Sequence, residues 1–281
     1  MEAMRIPTVG KLIIDCWVRA EEALRENVRK KFPDRDEEMI TDLFHAELED
    51  ELAKVSGSGA VAQAFLVDLK SAFPKVDIND LRSKIARGLI ATVSFHPRKK
   101  EEKTGGDLGI VLVRPDVQET LYGWSELTID RDYKRGLLCQ AKIFRRNSKW
   151  GELSRTQQQT LPNKLKYFAL LLYRYADQNG ERRELISFIW QLAVDATVEE
   201  VKQWLAADKF PNPQNSQQLL GALVRDEIGT DDKEIIEREI APPLRPSLVI
   251  KIGWKNDDGP ASVHVQQRST ATVSQPLVQY Q

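Results

Sequence analysis

Three polar side chains interrupt the two segments of this chain that are richest in strand-forming residues. Asp107 opens the segment Asp107–Val113, directly after two glycines. Gln140 and Lys142 lie near the end of the segment Gly136–Phe144. Side chains two residues apart in a strand point to the same side, so Gln140 and Lys142 share a face. If the two strands are neighbours, the carboxylate, the amide and the ammonium meet at one end of a sheet.

These groups have the chemistry that phosphodiester hydrolysis requires. A carboxylate and further oxygen ligands hold a hard cation such as Mg²⁺ or Mn²⁺, and the cation polarises the phosphate and activates water. We expect the ligands to be Asp107, the amide oxygen of Gln140 and the backbone carbonyl of Ala141. Lys142 would position the attacking water or stabilise the negative charge that develops on the phosphate.

Each of these residues also has an interpretation without chemistry. Asp107 fits a turn residue that follows two glycines. Gln140 and Lys142 fit the solvent-facing side of an edge strand, because Leu138, Gln140 and Lys142 follow one another at a spacing of two. The joint occurrence of all three residues at the ends of two strands favours the chemical interpretation.

The segments Gly105-Gly106-Asp107-Leu108-Gly109-Ile110 and Leu138-Cys139-Gln140-Ala141-Lys142 resemble the motifs of the PD-(D/E)xK superfamily of restriction-endonuclease-like proteins. That family usually has an acid two residues before the lysine, and this chain resembles its QxK variant. The resemblance implies an αβββαβ core, with a central mixed sheet flanked by helices. It further implies a metal-dependent endonuclease that acts on DNA, in a prokaryotic antiviral defence or restriction system.

The resemblance also implies a further acid in the site. In this superfamily a glutamate from the first core helix often completes the metal site, and Glu38 is the first candidate here. Glu37, Glu47 and Glu102 are the alternatives. Glu38 fits equally well as an acid in the first turn of a helix, where the helix dipole favours negative charge.

Polar and basic residues after the QxK segment are candidates for contacts with nucleic acid. Arg145, Arg146 and Lys149 follow the strand directly and could bind phosphates, although such a cluster is also typical of a solvated turn. The run that contains Gln157 resembles the polar residues that hold the site or the phosphate in QxK-type nucleases. We therefore predict that Gln157 belongs to the nucleic-acid-binding set.

The patterns run from helices through a small central sheet to further helices and predict an α/β or α+β fold, of which we expect α/β. Apolar spacing predicts strands over 89–95, 107–113, 136–144 and 248–254, with 114–135 irregular or a hairpin. It predicts helices over 9–32, from Asp36 to Val55, and over 60–72, 78–87, 163–176, 184–207, 216–226 and 232–239. We expect a nuclease-like domain over 1–178 and a mainly helical extension over 179–281 that ends in a short strand and a tail.

Composition limits the class of protein. The 281 residues are 41% hydrophobic with a formal net charge of −1, as in a globular protein without a generally basic surface. Two cysteines and three histidines form no zinc or disulfide pattern. No apolar run has the length of a membrane span, and the N-terminus has no signal-peptide pattern. We expect a cytoplasmic protein.

Its predicted partners are DNA, a second copy of the chain and a protein bound through the C-terminal part, with no membrane. A dimer is expected because cutting both strands of a duplex needs two sites.

Two other functions remain open at this point. The first is a non-catalytic interaction or regulatory protein with a nuclease-like fold, which the neutral Gln140 in place of an acid would suit. The second is a helical scaffold in which the sheet has no chemical role. Scattered positions of Asp107, Gln140 and Lys142 would favour the scaffold. A metal-dependent rise in stability would count against the non-catalytic protein.

Overall fold

A computed structural model of the chain describes the sheet and the helices that cover it. The described residues are 4–31, 37–75, 78–96, 108–121, 125–144, 150–178, 181–241, 247–255 and 264–267. Within these stretches some side chains lie outside the description, among them those of Glu37 and Glu38. No helix in these stretches is long and apolar enough to cross a membrane.

A mixed sheet forms the centre of the fold. Its strands are β1 (Leu89–His96), β2 (Leu108–Leu121), β3 (Ser125–Ile143), β4 (Phe168–Gln178), β5 (Glu181–Leu192), β6 (Ser247–Trp254) and β7 (His264–Gln267). The lateral order is β1-β6-β2-β3-β4-β5, and β7 pairs with the beginning of β3. β2 and β3 are antiparallel, while β3 runs parallel to β4 and β2 parallel to β6. The predicted α/β class with a mixed central sheet is confirmed.

The described helices come before β1, between β3 and β4, and between β5 and β6. They are α1 (Pro7–Lys31), α2 (Glu37–Gly57), α3 (Ala60–Ala72), α4 (Asn79–Gly88), α5 (Arg155–Thr160), α6 (Val198–Ala207), α7 (Ser216–Val224) and α8 (Lys233–Ile235). Two 3-10 turns, Leu161–Asn163 and Leu165–Tyr167, lead from α5 into β4, and α8 continues as a π-helical turn, Ile236–Ile240.

The sheet is covered on both sides, and we call these sides the first and the second face. On the first face, α1, α2, α3 and α7 pack against Leu137, Cys139 and Ala141 of β3. On the second face, residues 150–167, α6 and the π-helical turn pack against Leu138 and its neighbours. Because side chains alternate along a strand, Gln140 and Lys142 belong to the second face.

Most predicted elements of the N-terminal part are confirmed. The helices expected over 9–32, 60–72 and 78–87 are α1, α3 and α4, and the strands expected over 89–95 and 248–254 are β1 and β6. The stretch 114–135, which was left between an irregular loop and a hairpin, forms the long β2–β3 hairpin. Each of the confirmed helices has a one-sided apolar stripe, which is the clearest signal a sequence offers.

Two predicted helices are wrong. The helix expected over 163–176 consists of two 3-10 turns and β4, and the helix expected over 184–207 begins as β5 and becomes helical only at α6. Phe168, Ala169, Leu170 and Leu171 are all buried, because β4 lies inside the sheet and is covered on both faces. A strand buried on both faces has a continuous apolar run, and periodicity does not distinguish such a run from a buried helix.

The C-terminal part contributes strands to the same sheet. β5 pairs with β4, and β6 lies between β1 and β2. The region predicted as a mainly helical extension therefore supplies β5, β6 and β7 as well as α6, α7 and α8. The domain boundary after residue 178 stays a prediction, and the sheet runs across it.

Candidate functional site

The antiparallel ladder between β2 and β3 positions the QxK residues. In its register Leu108 pairs with Cys139 and Gly109 pairs with Leu138. Asp107 precedes Leu108 directly in the sequence and lies outside the described residues. Gln140 is the next residue of β3 after the described end of this ladder. The strands predicted to carry the site are thus hydrogen-bonded neighbours.

Gln140 and Lys142 are buried in the middle of the sheet. β3 lies between β2 and β4, and the side chains are 1% exposed at Gln140 and 7% exposed at Lys142. The interpretation of these residues as the solvent-facing side of an edge strand is therefore wrong. Polar groups of this kind are seldom buried without a compensating partner or a function.

Gln157 holds the side chain of Gln140. Its Nε2 donates a hydrogen bond of 2.6 Å to Oε1 of Gln140. The side chain of Gln157 is itself fixed by the capping box of α5. Oε1 of Gln157 accepts from the backbone N–H of Ser154 at 2.8 Å, and the backbone N–H of Gln157 donates to the Ser154 hydroxyl at 3.2 Å. Since an amide oxygen has two lone pairs, Oε1 of Gln140 keeps one acceptor position for a further ligand.

The ammonium of Lys142 has no hydrogen-bond or ion-pair partner among the described residues. Burying a charged group away from water is unfavourable unless a partner compensates for the lost hydration. Lys142 therefore suits an anionic ligand that approaches the second face at the C-terminal end of β3.

The neighbouring cysteine belongs to the core. Cys139 is fully buried on the first face, and burial raises the pKa of its thiol well above the usual range. A thiol that stays protonated and inaccessible is a poor nucleophile. Cys139 is therefore excluded as a catalytic group, although it lies next to Gln140 in the sequence.

Gly109 allows the π-helical turn to lie directly on β2. A methyl group at Gly109 would come within 1.9 Å of the carbonyl oxygen of Ile240. Gly136, on β3, faces the side chains of Ile236 and Ile240 in the same way. The glycine of the Asp107-Leu108-Gly109 segment thus has a packing role beside the site, which its position in the sequence alone did not reveal.

A second polar cluster lies beside the QxK residues on the second face. Lys142 is in register with Leu172 of β4, and Arg174 is the next β4 residue on that face. The guanidinium of Arg174 lies 4.8 Å from the ring centre of Phe144 and 5.5 Å from that of Trp150. Its Nη2 donates to Oδ1 of Asp208 at 2.5 Å.

Trp150 belongs to this cluster as a packing residue. It is 4% exposed, its ring contacts Phe144 edge-on at 5.0 Å, and its indole N–H donates to Asp208 at 2.7 Å. A buried indole cannot stack on a base, so its role is structural. Sequence reasoning did not single out Arg174 or Asp208; the available signal was one arginine after the apolar run that ends at Tyr173.

The other predicted nucleic-acid contacts lie outside the described residues. Arg145, Arg146 and Lys149 belong to the connection 145–149. The ends of this connection, Phe144 and Trp150, pair with each other through a β-bridge. The binding role of the three basic residues stays a prediction.

The structure shows none of the glutamates predicted to complete the site next to Gln140 and Lys142 among the described residues. α2 packs its buried residues, among them Ile40 and Phe44, against the first face, opposite Gln140 and Lys142. The first turn of α2 nevertheless lies at the same end of the sheet, since Thr41 is hydrogen-bonded at 3.3 Å to Tyr173 of β4.

The side chains of Glu37 and Glu38, and all of Glu102, lie outside the described residues, while Glu47 accepts from Asn27 of α1 at 2.5 Å.

The described part of the chain fits a divalent cation only in part. It contains no group of three or more His, Cys, Asp or Glu side chains that could hold a metal ion. The amide oxygen of Gln140 and the carbonyl oxygen of Ala141 are ligands of the type that Mg²⁺ accepts, but both are neutral. The negative charge of such a site would have to come from side chains outside that part, among which Asp107 is the first candidate and Glu38 the second.

No protein-family model, curated protein or solved structure matches this chain.

Proposed function

We propose that this chain is a metal-dependent endonuclease of the PD-(D/E)xK type that hydrolyses phosphodiester bonds of DNA. The observation that carries the proposal is the buried pair on the second face of β3. Gln140 is held by Gln157, and Lys142 lacks a partner among the described residues. A scaffold without chemistry gains nothing from a largely buried lysine for which the described residues offer no partner, because the partial loss of hydration opposes folding.

The order of elements supports a restriction-endonuclease-like core. The antiparallel β2–β3 hairpin is followed by α5 and by β4, which is parallel to β3. This agrees with the last part of the αβββαβ order that the resemblance implies. β6, between β1 and β2, is an addition to that order.

The proposal continues the β2–β3 ladder by one residue beyond Leu108, so that Asp107 stands opposite Gln140. Residues directly opposite in an antiparallel pair have Cβ atoms about 5 Å apart. A carboxylate and an amide oxygen at that separation can share one Mg²⁺ or Mn²⁺ ion, with Ala141 as a further ligand. Glu38 stays the first candidate for an additional acid.

Each residue of the proposed site has a separate task. When bound, the ion would polarise the phosphate and lower the pKa of a water molecule. Gln157 fixes the orientation of the Gln140 amide, because its Nε2 donates to Oε1 of Gln140. Lys142 orients the attacking water and stabilises the charge that develops on the phosphate oxygens. Asp107 supplies the negative charge that retains the ion.

The wider biological role follows from the resemblance alone. We propose a cytoplasmic enzyme of a prokaryotic antiviral defence or restriction system, which acts as a dimer because a duplex has two strands to cut. Arg145, Arg146 and Lys149 are proposed phosphate contacts, and residues 179–281 are a proposed site for a partner protein.

Cleavage of plasmid and linear DNA in Mg²⁺, Mn²⁺ or a chelator tests the activity. Lys142→Met removes the charge and keeps the buried aliphatic stem, so we expect cleavage to be lost while the free energy of unfolding rises by about 1 kcal/mol. Lys202→Met is the matched control, because Lys202 is a surface lysine of α6 whose ion pair among the described residues is with Glu199. Full cleavage by the Lys142→Met variant would refute the assignment.

A non-catalytic protein with a nuclease-like fold is the second candidate function. The neutral Gln140 and the absence of an acidic cluster in the described part of the chain favour it. It predicts that no DNA is cut in any metal, and that Mg²⁺ and Mn²⁺ leave the melting temperature unchanged. A metal-dependent rise in melting temperature counts against it, because a ligand that binds only the folded state stabilises that state.

A further inference from the structure

Arg174 occupies the position next to Lys142 on the second face. Lys142 is in register with Leu172, and Arg174 follows two residues later on β4, on the same side of the sheet. Phe144, which lies under the Arg174 guanidinium at 4.8 Å, is in turn two residues beyond Lys142 on β3. The two cationic side chains therefore extend from neighbouring positions at the same end of the sheet.

The guanidinium of Arg174 is held in one orientation by its surroundings. It lies against the rings of Phe144 and Trp150, and it donates to Asp208. Asp208 is fixed as well, since it accepts from the Trp150 indole at 2.7 Å and ends α6 with a left-handed backbone, at φ 52°. A planar guanidinium held in this way loses little conformational entropy when it binds an anion.

Within the described part of the chain, most N–H donors of Arg174 have no acceptor. Of five N–H donors, the described contacts engage one at Nη2, and the buried Nε has no hydrogen-bond partner among the described residues. The side chain is 36% exposed, so part of it is accessible to a ligand. An ion pair with Asp208 alone leaves these donors unexplained.

We propose that Arg174 binds a backbone phosphate of the DNA, next to the phosphate that faces Lys142. Phosphate is the anion that suits a guanidinium with free N–H donors, and successive phosphates of a strand would meet the two side chains in turn. Asp208 is a positioning residue that keeps the guanidinium edge turned towards the substrate. This inference rests on the proposed nuclease function, because it takes DNA as the ligand.

The salt dependence of duplex DNA binding tests the assignment, with Ca²⁺ in place of Mg²⁺ to prevent cleavage. Each neutralised phosphate contributes about 0.9 to the slope of log K against log salt concentration. We expect Arg174→Met to lower the magnitude of the slope by about 0.9. Arg174→Lys keeps the charge and should keep the slope. If the Arg174→Met variant does not fold, the Arg174→Gln variant is measured in its place.

Asp208→Asn keeps a hydrogen-bond acceptor that can position the Arg174 guanidinium and removes only the negative charge. Asparagine tolerates the left-handed backbone and can still accept from Trp150, while it removes the charge that opposes Arg174. We expect this variant to bind DNA at least as tightly as the wild type, with an undiminished slope.

A purely structural Arg174–Asp208 pair predicts that the Arg174→Met and Asp208→Asn variants both lose stability and that neither changes the slope. That result would overturn the assignment of Arg174 and leave the nuclease proposal standing. Failure of the wild-type protein to bind or cut any DNA would overturn both.

Discussion

Lys142 is the residue at which stability and function oppose each other. Its side chain is 7% exposed and has no partner among the described residues, so its burial opposes folding unless a ligand or a residue outside the described part compensates its charge. Gln140, by contrast, is satisfied by Gln157 at 2.6 Å. The pair thus combines one group that Gln157 orients with one group for which the described residues offer no partner.

Gln157 provides a prediction at the scale of single residues. Gln157→Ala frees the amide of Gln140, so we expect kcat for DNA cleavage to fall while KM changes little. Ser154→Ala serves as the control, because it removes the hydroxyl of the same capping box and leaves the contact between Gln157 and Gln140. Each variant should lose about 1 kcal/mol of unfolding free energy. Equal kcat values for the two variants would show that Gln157 only caps α5.

The residues of the candidate site were predictable to different degrees. That Gln140 and Lys142 share a face follows from the two-residue period of a strand, which any strand obeys. The contact between Gln157 and Gln140 depends on how α5 docks on the second face, and no local pattern encodes it. Arg174 and Asp208 are 34 residues apart in sequence and meet only through the packing of α6 against the sheet.

Among the elements, the π-helical turn Ile236–Ile240 fixes the position of β2. The carbonyl oxygen of Ile240, the last residue of this turn, lies 1.9 Å from the position that a Cβ atom at residue 109 would take. Any residue other than glycine would push the turn away from β2, and the turn also covers Gly136 of β3. The beginning of β2, which Asp107 precedes, is therefore held by a segment far along the chain.

Gly109→Ala tests this contact between elements. A methyl group 1.9 Å from the Ile240 carbonyl oxygen must displace the turn or the strand. We expect the free energy of unfolding in urea to fall by about 2 kcal/mol or more. Gly57→Ala is the control, because a methyl group at Gly57, at the end of α2, meets nothing within 4 Å. Similar unfolding free energies for the two variants would contradict the close packing.

The elements that sequence analysis missed share one physical cause. α1, α3 and α4 were predicted because each buries one side and leaves the other side polar or solvent-exposed. The run 168–173 of β4 has no such contrast, since the side chains on both of its sides are buried, and this run was assigned to a helix. The position of β6 between β1 and β2 depends on pairing between distant segments, which a local apolar pattern cannot specify.

At the scale of the whole molecule, a buried polar network joins α1 to the C-terminal part. Glu21 accepts from the Trp17 indole at 2.8 Å and from the Ser216 hydroxyl, and it pairs with Arg25 at 3.2 Å. Ser216 in turn accepts from the Trp190 indole at 2.7 Å. The network links α1, β5 and α7 on the first face, so the N-terminal helix and residues beyond 178 depend on one another.

This network predicts how stability depends on pH. Burial raises the pKa of Glu21 above its ordinary value of 4.5, against the opposing hydrogen bonds and the charge of Arg25. A raised carboxyl pKa means that the folded state holds its proton longer than the unfolded state. The contribution of Glu21 to stability is therefore fully present below about pH 4.5, and it is lost as the pH rises through the pKa that Glu21 has in the folded state.

Glu21→Gln cannot titrate and serves as the reference. The unfolding free energy of the wild type minus that of Glu21→Gln should fall as the pH is raised from 4 to 8, as measured by urea unfolding at each pH. A difference that rises over this range would mean that the hydrogen bonds and Arg25 outweigh burial, and it would contradict the raised pKa.

The central proposal is that the carboxylate of Asp107, which precedes β2 in the sequence, and the amide of Gln140 hold one divalent ion. A titration of the protein with Mn²⁺, followed by electron paramagnetic resonance, measures that ion directly. We predict a saturable site in the wild type and in Lys142→Met, which keeps every proposed ligand, and its loss in Asp107→Asn with the fold unchanged. Undiminished Mn²⁺ binding by Asp107→Asn, or no saturable site in the wild type, would contradict the claim.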